Sequence, residues 1–233
     1  MALPLRTNMP WPSFTARMIR LDVAPFHTDW FQQAGIDRPD SIARSVPKRQ
    51  REYFFGRLCA QQALRMAALP ATPIYNGKGR APIWPNGIVG SITHDAKFAA
   101  AIIAPATEYV GIGIDIETVP SRDALEALVS TVLSGAELDL LQNLSTHVTL
   151  PLLITAAFSA KESFFKASYS DVGRYFDFDA VSVRTLDMAR GVIELEQRQD
   201  LCEGLRAGAR HPIHLQWLEP DTICTLYARL SPR

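Results

Sequence analysis

The segment Gly111-Ile-Gly-Ile-Asp-Ile-Glu117 alternates isoleucine with glycine or carboxylate. On a β-strand successive side chains point to opposite faces, so Ile112, Ile114 and Ile116 turn together toward a core. Asp115 and Glu117 then share the other face, behind Gly111 and Gly113, which are expected to leave that face clear. Two carboxylates side by side next to open space suit a hard cation such as Mg²⁺. Taken alone, the pattern also describes a strand leaving a core with a solvated acidic end.

A second segment, Phe158-Ser-Ala-Lys-Glu-Ser-Phe-Phe-Lys-Ala167, has helical spacing. Phe158, Phe165 and Tyr169 share a face, and Ala160, Phe164 and Ala167 continue the apolar arc. Glu162 and Lys166 lie one turn apart and are neighbours on the helix surface. Lys161 falls inside the apolar arc, where the ordinary expectation is a stem lying on apolar surface and an ammonium reaching water.

A third set offers donors for a phosphate: Arg80 in Gly79-Arg-Ala-Pro-Ile-Trp-Pro85, and Ser91, Thr93 and His94 in Gly90-Ser-Ile-Thr-His-Asp95. Arg57, in Phe55-Gly-Arg-Leu58, adds a second guanidinium. Each of these alone also reads as a solvated or structural side chain.

The elements that must hold these residues follow from periodicity and breakers. Residues 1–40 are rich in proline and aromatics and read as irregular with short strands. A long helix is expected from about Ser45 to Leu69, with Pro47 in its first turn and Phe54, Leu58 and Phe55, Cys59 at four-residue spacing. Pro70, Pro73 and Asn76-Gly77 end it in a loop. Strands are expected at Ile88–Thr93, Phe98–Ala104 and Tyr109–Glu117, and helices at Asp123–Leu133, Gly135–Leu144 and Leu152–Tyr169. Val181–Leu186, Val192–Glu196, Ile213–Leu218 and Ile223–Leu230 read as a meander, with Pro220-Asp221 turning between the last two. Helix followed by strands, twice over, is an α+β pattern of two similar halves, divided as residues 1–116 and 117–233.

Composition narrows the function classes. The chain has 233 residues, with 24 Lys and Arg against 24 Asp and Glu, so no long-range field draws it to nucleic acid or an anionic membrane. Its three cysteines show no CxxC spacing, against a disulfide framework or zinc site. No signal peptide or span is expected, and the chain reads as a cytoplasmic protein.

The ordered set Gly-Arg-Ala-Pro, Gly-Ser-Ile-Thr-His, Gly-Ile-Asp-Ile-Glu, then Phe-Ser-Ala-Lys-Glu-Ser-x-x-Lys resembles the Sfp-type phosphopantetheinyl transferases, and is most similar to their enterobactin synthetase component D group. The motifs run from Arg57 to Ala167, about half the chain. Many relatives carry Trp where Phe158 stands, a difference of local packing. The resemblance implies a pseudo-symmetric monomer of two α/β halves with the active site in the cleft between them. It implies that Asp115, Glu117 and Glu162 ligate Mg²⁺ (or Mn²⁺), and that Arg57, Arg80, Ser91, Thr93 and His94 hold coenzyme A, chiefly its 3′-phosphate. Glu162, or a water it holds, would take the proton of a carrier-protein serine. Lys166 would stabilise the departing phosphate, and Lys161 would assist phosphate binding or structure the site. Apo acyl, aryl or peptidyl carrier proteins would be the partners, in siderophore or other secondary metabolism. The region Val119–Leu144 would be the docking side.

Other readings are a different Mg²⁺-dependent phosphotransferase or nuclease, and a catalytically silent carrier-protein or nucleotide-binding module of the same fold. No GxxxxGK[ST] loop supports the first, and the intact trio Asp115, Glu117 and Glu162 speaks against the second. The small trimeric holo-acyl-carrier-protein synthases have chains about half this length.

Overall fold

The computed structural model describes residues 6–7, 14–21, 26–145 and 148–232. Before the long helix it has strands β1 (Arg6–Thr7) and β2 (Thr15–Arg20) and the one-turn helices α1 (Trp30–Gln33) and α2 (Asp40–Ala43). Helix α3 (Pro47–Met66) starts with proline at its first turn, where no N–H is missed. It stops short of the expected Leu69. Ala68 turns left-handed at φ 55, and Leu69 N–H donates to Leu64 O at 2.9 Å, which closes the helix before Pro70.

Strands β3 (Ile88–His94) and β4 (Phe98–Pro105) follow. Between them Asp95 Oδ1 accepts from the amides of Lys97 (2.8 Å) and Phe98 (2.6 Å), which builds the turn. The antiparallel sheet has the order β1-β2-β4-β3. α3 packs across it through Phe54, Phe55, Leu58, Cys59 and Ala63, all buried with Ile19, Ala101 and Ile103. A Cβ on Gly56 would come within 2.9 Å of Ile92, so glycine lets α3 approach β3 closely.

Strand β5 (Tyr109–Thr118) leads to α4 (Arg122–Val132), α5 (Gly135–Leu144) and α6 (Leu150–Val172). Strands β6 (Val181–Asp187), β7 (Val192–Gln197), β8 (Arg210–Glu219) and β9 (Thr222–Leu230) complete the fold. The second sheet runs β5-β9-β8-β7-β6, and β6 to β9 form the expected antiparallel meander. α6 lies on it, burying Ala156, Ala160, Phe164 and Ala167 with Leu195, Ile213 and Ile223.

The architecture is therefore α+β with two sheets. It divides into two compact units, Met1–Ile112 with Arg229–Arg233, and Gly113–Ala228. That division falls inside β5, ahead of the boundary expected at residue 116, and the last residues return to the first unit. No helix among the described residues is long and apolar enough to cross a membrane.

Candidate active site

In the second unit the acidic strand meets the lysine-bearing helix through a glycine. A Cβ on Gly113 would lie 1.9 Å from Ser163 O and 2.7 Å from Ala167 N. Only a glycine lets the two backbones touch there. This corrects one expectation: Gly113 does not leave the face of Asp115 clear, because the backbone of α6 fills it. The isoleucines behave as expected, with Ile114 and Ile116 fully buried.

The contact sets Asp115 against Lys166. Lys166 Nζ donates to Asp115 Oδ1 at 2.6 Å and to Ile114 O at 3.2 Å. The carboxylate is nearly sealed, at 4% side-chain exposure, while the lysine keeps 25%. Burial works against the Lys166 charge, yet Asp115 and Glu162, with a smaller part from Glu117, outweigh it and hold the ammonium above its ordinary value. Glu162 is shifted the other way. Burial raises it above the usual carboxylate range, Lys166 opposes, and the charge of Asp115 adds to the rise. One ammonium and three carboxyl groups therefore share one field. A small cavity of about 30 Å³ opens beside Glu162, lined also by Lys161, Phe165, Tyr175, Phe176 and Phe178. It has room for a water.

The donors are hard oxygens, the type that Mg²⁺ takes. Among the described residues, no three such side chains already stand in a ligand arrangement. The Lys166 ammonium holds the Asp115 carboxylate, so a divalent cation bound there competes with it.

Lys161 departs most from expectation. It does not reach water: its side chain is 1% exposed and its Nζ lies 2.8 Å from Glu137 Oε1. The same nitrogen donates to Val132 O at 2.8 Å and Phe178 O at 3.2 Å. An ammonium has three protons, and all are taken, so of its two expected roles the structural one describes this arrangement. Glu137 escaped the sequence reading. Its one local signal was Ser134-x-x-Glu137, a capping box that the structure forms in full. Phe158, where relatives have Trp, packs edge-on against Phe178 at 5.8 Å between ring centres.

In the first unit, His94 closes onto α3. Arg49 Nη1 lies 2.8 Å from His94 Nε2, and Glu52 Oε2 lies 3.6 Å from Nδ1. A guanidinium can only donate, so Nε2 accepts and the proton sits on Nδ1, toward Glu52. Burial raises Glu52 above the usual carboxylate range, against the pull of Lys48 and Arg49. Ser91 and Thr93 are buried on the face of β3 opposite Ile92 and His94, so the three expected donors of this strand do not share a side.

Arg57 is buried, stacks over the Tyr53 ring at 4.8 Å and donates through Nη2 to Asn76 Oδ1. Burial lowers its ordinarily high pKa, partly offset by Tyr53. Its Nε, and Nε and Nη2 of Arg51, are buried with no hydrogen-bond partner among the described residues. Such donors are costly to leave unmet and invite an anion. Arg80 is exposed on the loop that Asn76 and Pro82 close, with left-handed φ 66. The sequence reading missed Arg49, Arg51 and Glu52; the signal was their position within two turns of Gly56 on the same helix.

The chain belongs to the 4'-phosphopantetheinyl transferase superfamily. The model of that superfamily matches residues 111–214, and the model of the 4'-phosphopantetheinyl transferase N-terminal domain matches residues 37–104. It is 34% identical to Enterobactin synthase component D of Salmonella typhimurium, over 91% of this chain and 87% of that protein. It is 38% identical to 4'-phosphopantetheinyl transferase Svp of Streptomyces mobaraensis, over 59% of this chain and 55% of the relative. Among solved structures it is similar to a holo-(acyl-carrier-protein) synthase from Bacillus anthracis in complex with CoA (3',5'-ADP), at 24% identity and TM-score 0.39. That likeness covers 54% of this chain and 99% of the other.

Proposed function

We propose that this protein transfers the phosphopantetheine arm of coenzyme A to a serine of an apo carrier protein, releasing 3′,5′-ADP. The observation that carries this reading is the Lys166 ammonium at 2.6 Å from buried Asp115, one helical turn from Glu162. Asp115, Glu117 and Glu162 would hold Mg²⁺, or Mn²⁺ in its place. The cation would supply neutralisation of the charge on the pyrophosphate. Glu162, or a water beside it, accepts the serine proton. The serine oxygen forms the new bond to the β-phosphorus. The bond from that phosphorus to the bridging oxygen breaks, and the bridging oxygen leaves on the α-phosphate of 3′,5′-ADP. Lys166, with its ammonium held charged, meets the negative charge that grows there.

Arg57, Arg80 and His94, with Ser91 and Thr93 from the other face of β3, would bind coenzyme A. The buried unmet donors of Arg57, together with those of Arg51, support an anion there. The relatives named for enterobactin synthase support a siderophore carrier, modified in the cytoplasm by a monomer that docks it near 119–144. Incubation with coenzyme A, Mg²⁺ and a panel of apo-carriers tests the reading. A mass gain of one phosphopantetheine is expected on at least one carrier, and none on any would refute it.

A further inference from the structure

We propose that Glu137 and Lys161 form an internal positioning pair that fixes where the Glu162 carboxylate sits. This rests on the reading of Glu162 as metal ligand and base. The pair is saturated. Glu137 Oε1 accepts from Lys161 at 2.8 Å and from the Val183 amide at 2.8 Å. Its Oε2 accepts from the amide and the hydroxyl of Ser134, each at 2.8 Å. Lys161 spends its remaining protons on the last residue of α4 and on the turn ahead of β6. One buried ammonium and one buried carboxylate thus tie α6 to α4, α5 and β6.

Glu162 stands between two anchored residues. On one side is Lys161. On the other is Ser163, whose carbonyl is pressed by Gly113 and whose hydroxyl bonds Thr225 O at 3.1 Å and lies 2.7 Å from Thr225 Oγ1. A slide or turn of α6 that moved Glu162 would break contacts on both sides. A buried ion pair adds little net stability over apolar groups of the same shape. What this pair supplies is direction, since each proton and lone pair has one place to go. Groups behind a metal ligand commonly change metal affinity or activity 10–100-fold, on the order of second-neighbour effects in metal sites.

The test compares wild type with the double variant Glu137→Gln/Lys161→Met, which removes both charges and leaves none buried alone. Mn²⁺ affinity by electron paramagnetic resonance, coenzyme A affinity by calorimetry and single-turnover transfer are measured beside the unfolding midpoint. A folded variant with Mn²⁺ affinity and transfer rate each down about tenfold or more, and coenzyme A affinity within about threefold of wild type, is the expected result. A folded variant with wild-type Mn²⁺ affinity and rate makes the pair merely structural and overturns the proposal. Should the double variant not fold, Glu137→Asp keeps both charges but withdraws the carboxylate. The same selective loss is expected of it, and its absence overturns the proposal equally. A wild-type protein that takes up no Mn²⁺ and modifies no carrier overturns the functional reading, and this inference with it.

Discussion

Helix α6 carries two lysines five positions apart, each salt-bridged to an acid, and they are opposites. Lys161–Glu137 is sealed on both sides, at 1% and 4% exposure, and every proton has a backbone or carboxylate partner. Lys166–Asp115 is sealed only on the acid side, and its ammonium also feels Glu162 and Glu117. The first pair has no valence left for a ligand. The second lies under the charge of three carboxyl groups, Asp115, Glu162 and Glu117, and its lysine side chain is 25% exposed. The two pairs therefore differ in the charge left around each ammonium.

The hardest blow to this contrast comes from removing each ammonium in turn. Lys166→Met should lower single-turnover transfer by about 10²–10³-fold, the usual loss for one electrostatic stabiliser, with coenzyme A affinity by calorimetry changed far less. A variant that binds poorly but transfers normally once saturated would make Lys166 a binding residue. Lys161→Met should also act on the fold, because it strands the Glu137 charge in the interior. A loss of about 3–5 kcal/mol is expected from denaturant unfolding, and an unchanged midpoint would mean that water reaches Glu137.

Two smaller effects sharpen the comparison. Arg80 is exposed on its loop, so its loss should leave the unfolding midpoint in place. If it grips the 3′-phosphate, Arg80→Ala should raise the KM for coenzyme A about tenfold, near the lower end for a hydrogen bond to a charged group, with kcat kept. Dephospho-coenzyme A should then be discriminated less by the variant than by wild type. Equal discrimination would remove Arg80 from the site.

The smallest effect is an acid limb. Burial raises Glu137, but Lys161 and the amides of Ser134 and Val183 pull it below the usual carboxylate range. A depressed folded-state pKa gives stability that is present above the unfolded value and lost as pH falls through the folded one. Wild type should lose this increment in acid, while Glu137→Gln should show a flatter pH dependence of its unfolding midpoint. Parallel curves would assign the acid loss elsewhere.

Periodicity alone located the long helices, the hairpin around Asp95 and the C-terminal meander, because each rests on local spacing and local breakers. Pro47, Pro70 and the Ser134-x-x-Glu137 box act within a turn of themselves. The alternation of Ile112, Ile114 and Ile116 with Asp115 and Glu117 likewise stated which side chains share a face. What lies against that face was not local. Gly113 read as open space and is a backbone contact, since a missing Cβ serves both purposes equally and only the partner element tells them apart. Lys161 read as reaching water because its carboxylate comes from a different helix, and its two carbonyls from a helix end and a turn remote in sequence. Ser91, Thr93 and His94 sit together in the chain and on two faces in the sheet, with His94 turned to α3 and Ser91 and Thr93 buried on the opposite face. Residue type and spacing determined the chemistry available to this protein. Tertiary packing decided how each lysine is partnered, because only packing sets which distant carboxylates and carbonyls reach its ammonium.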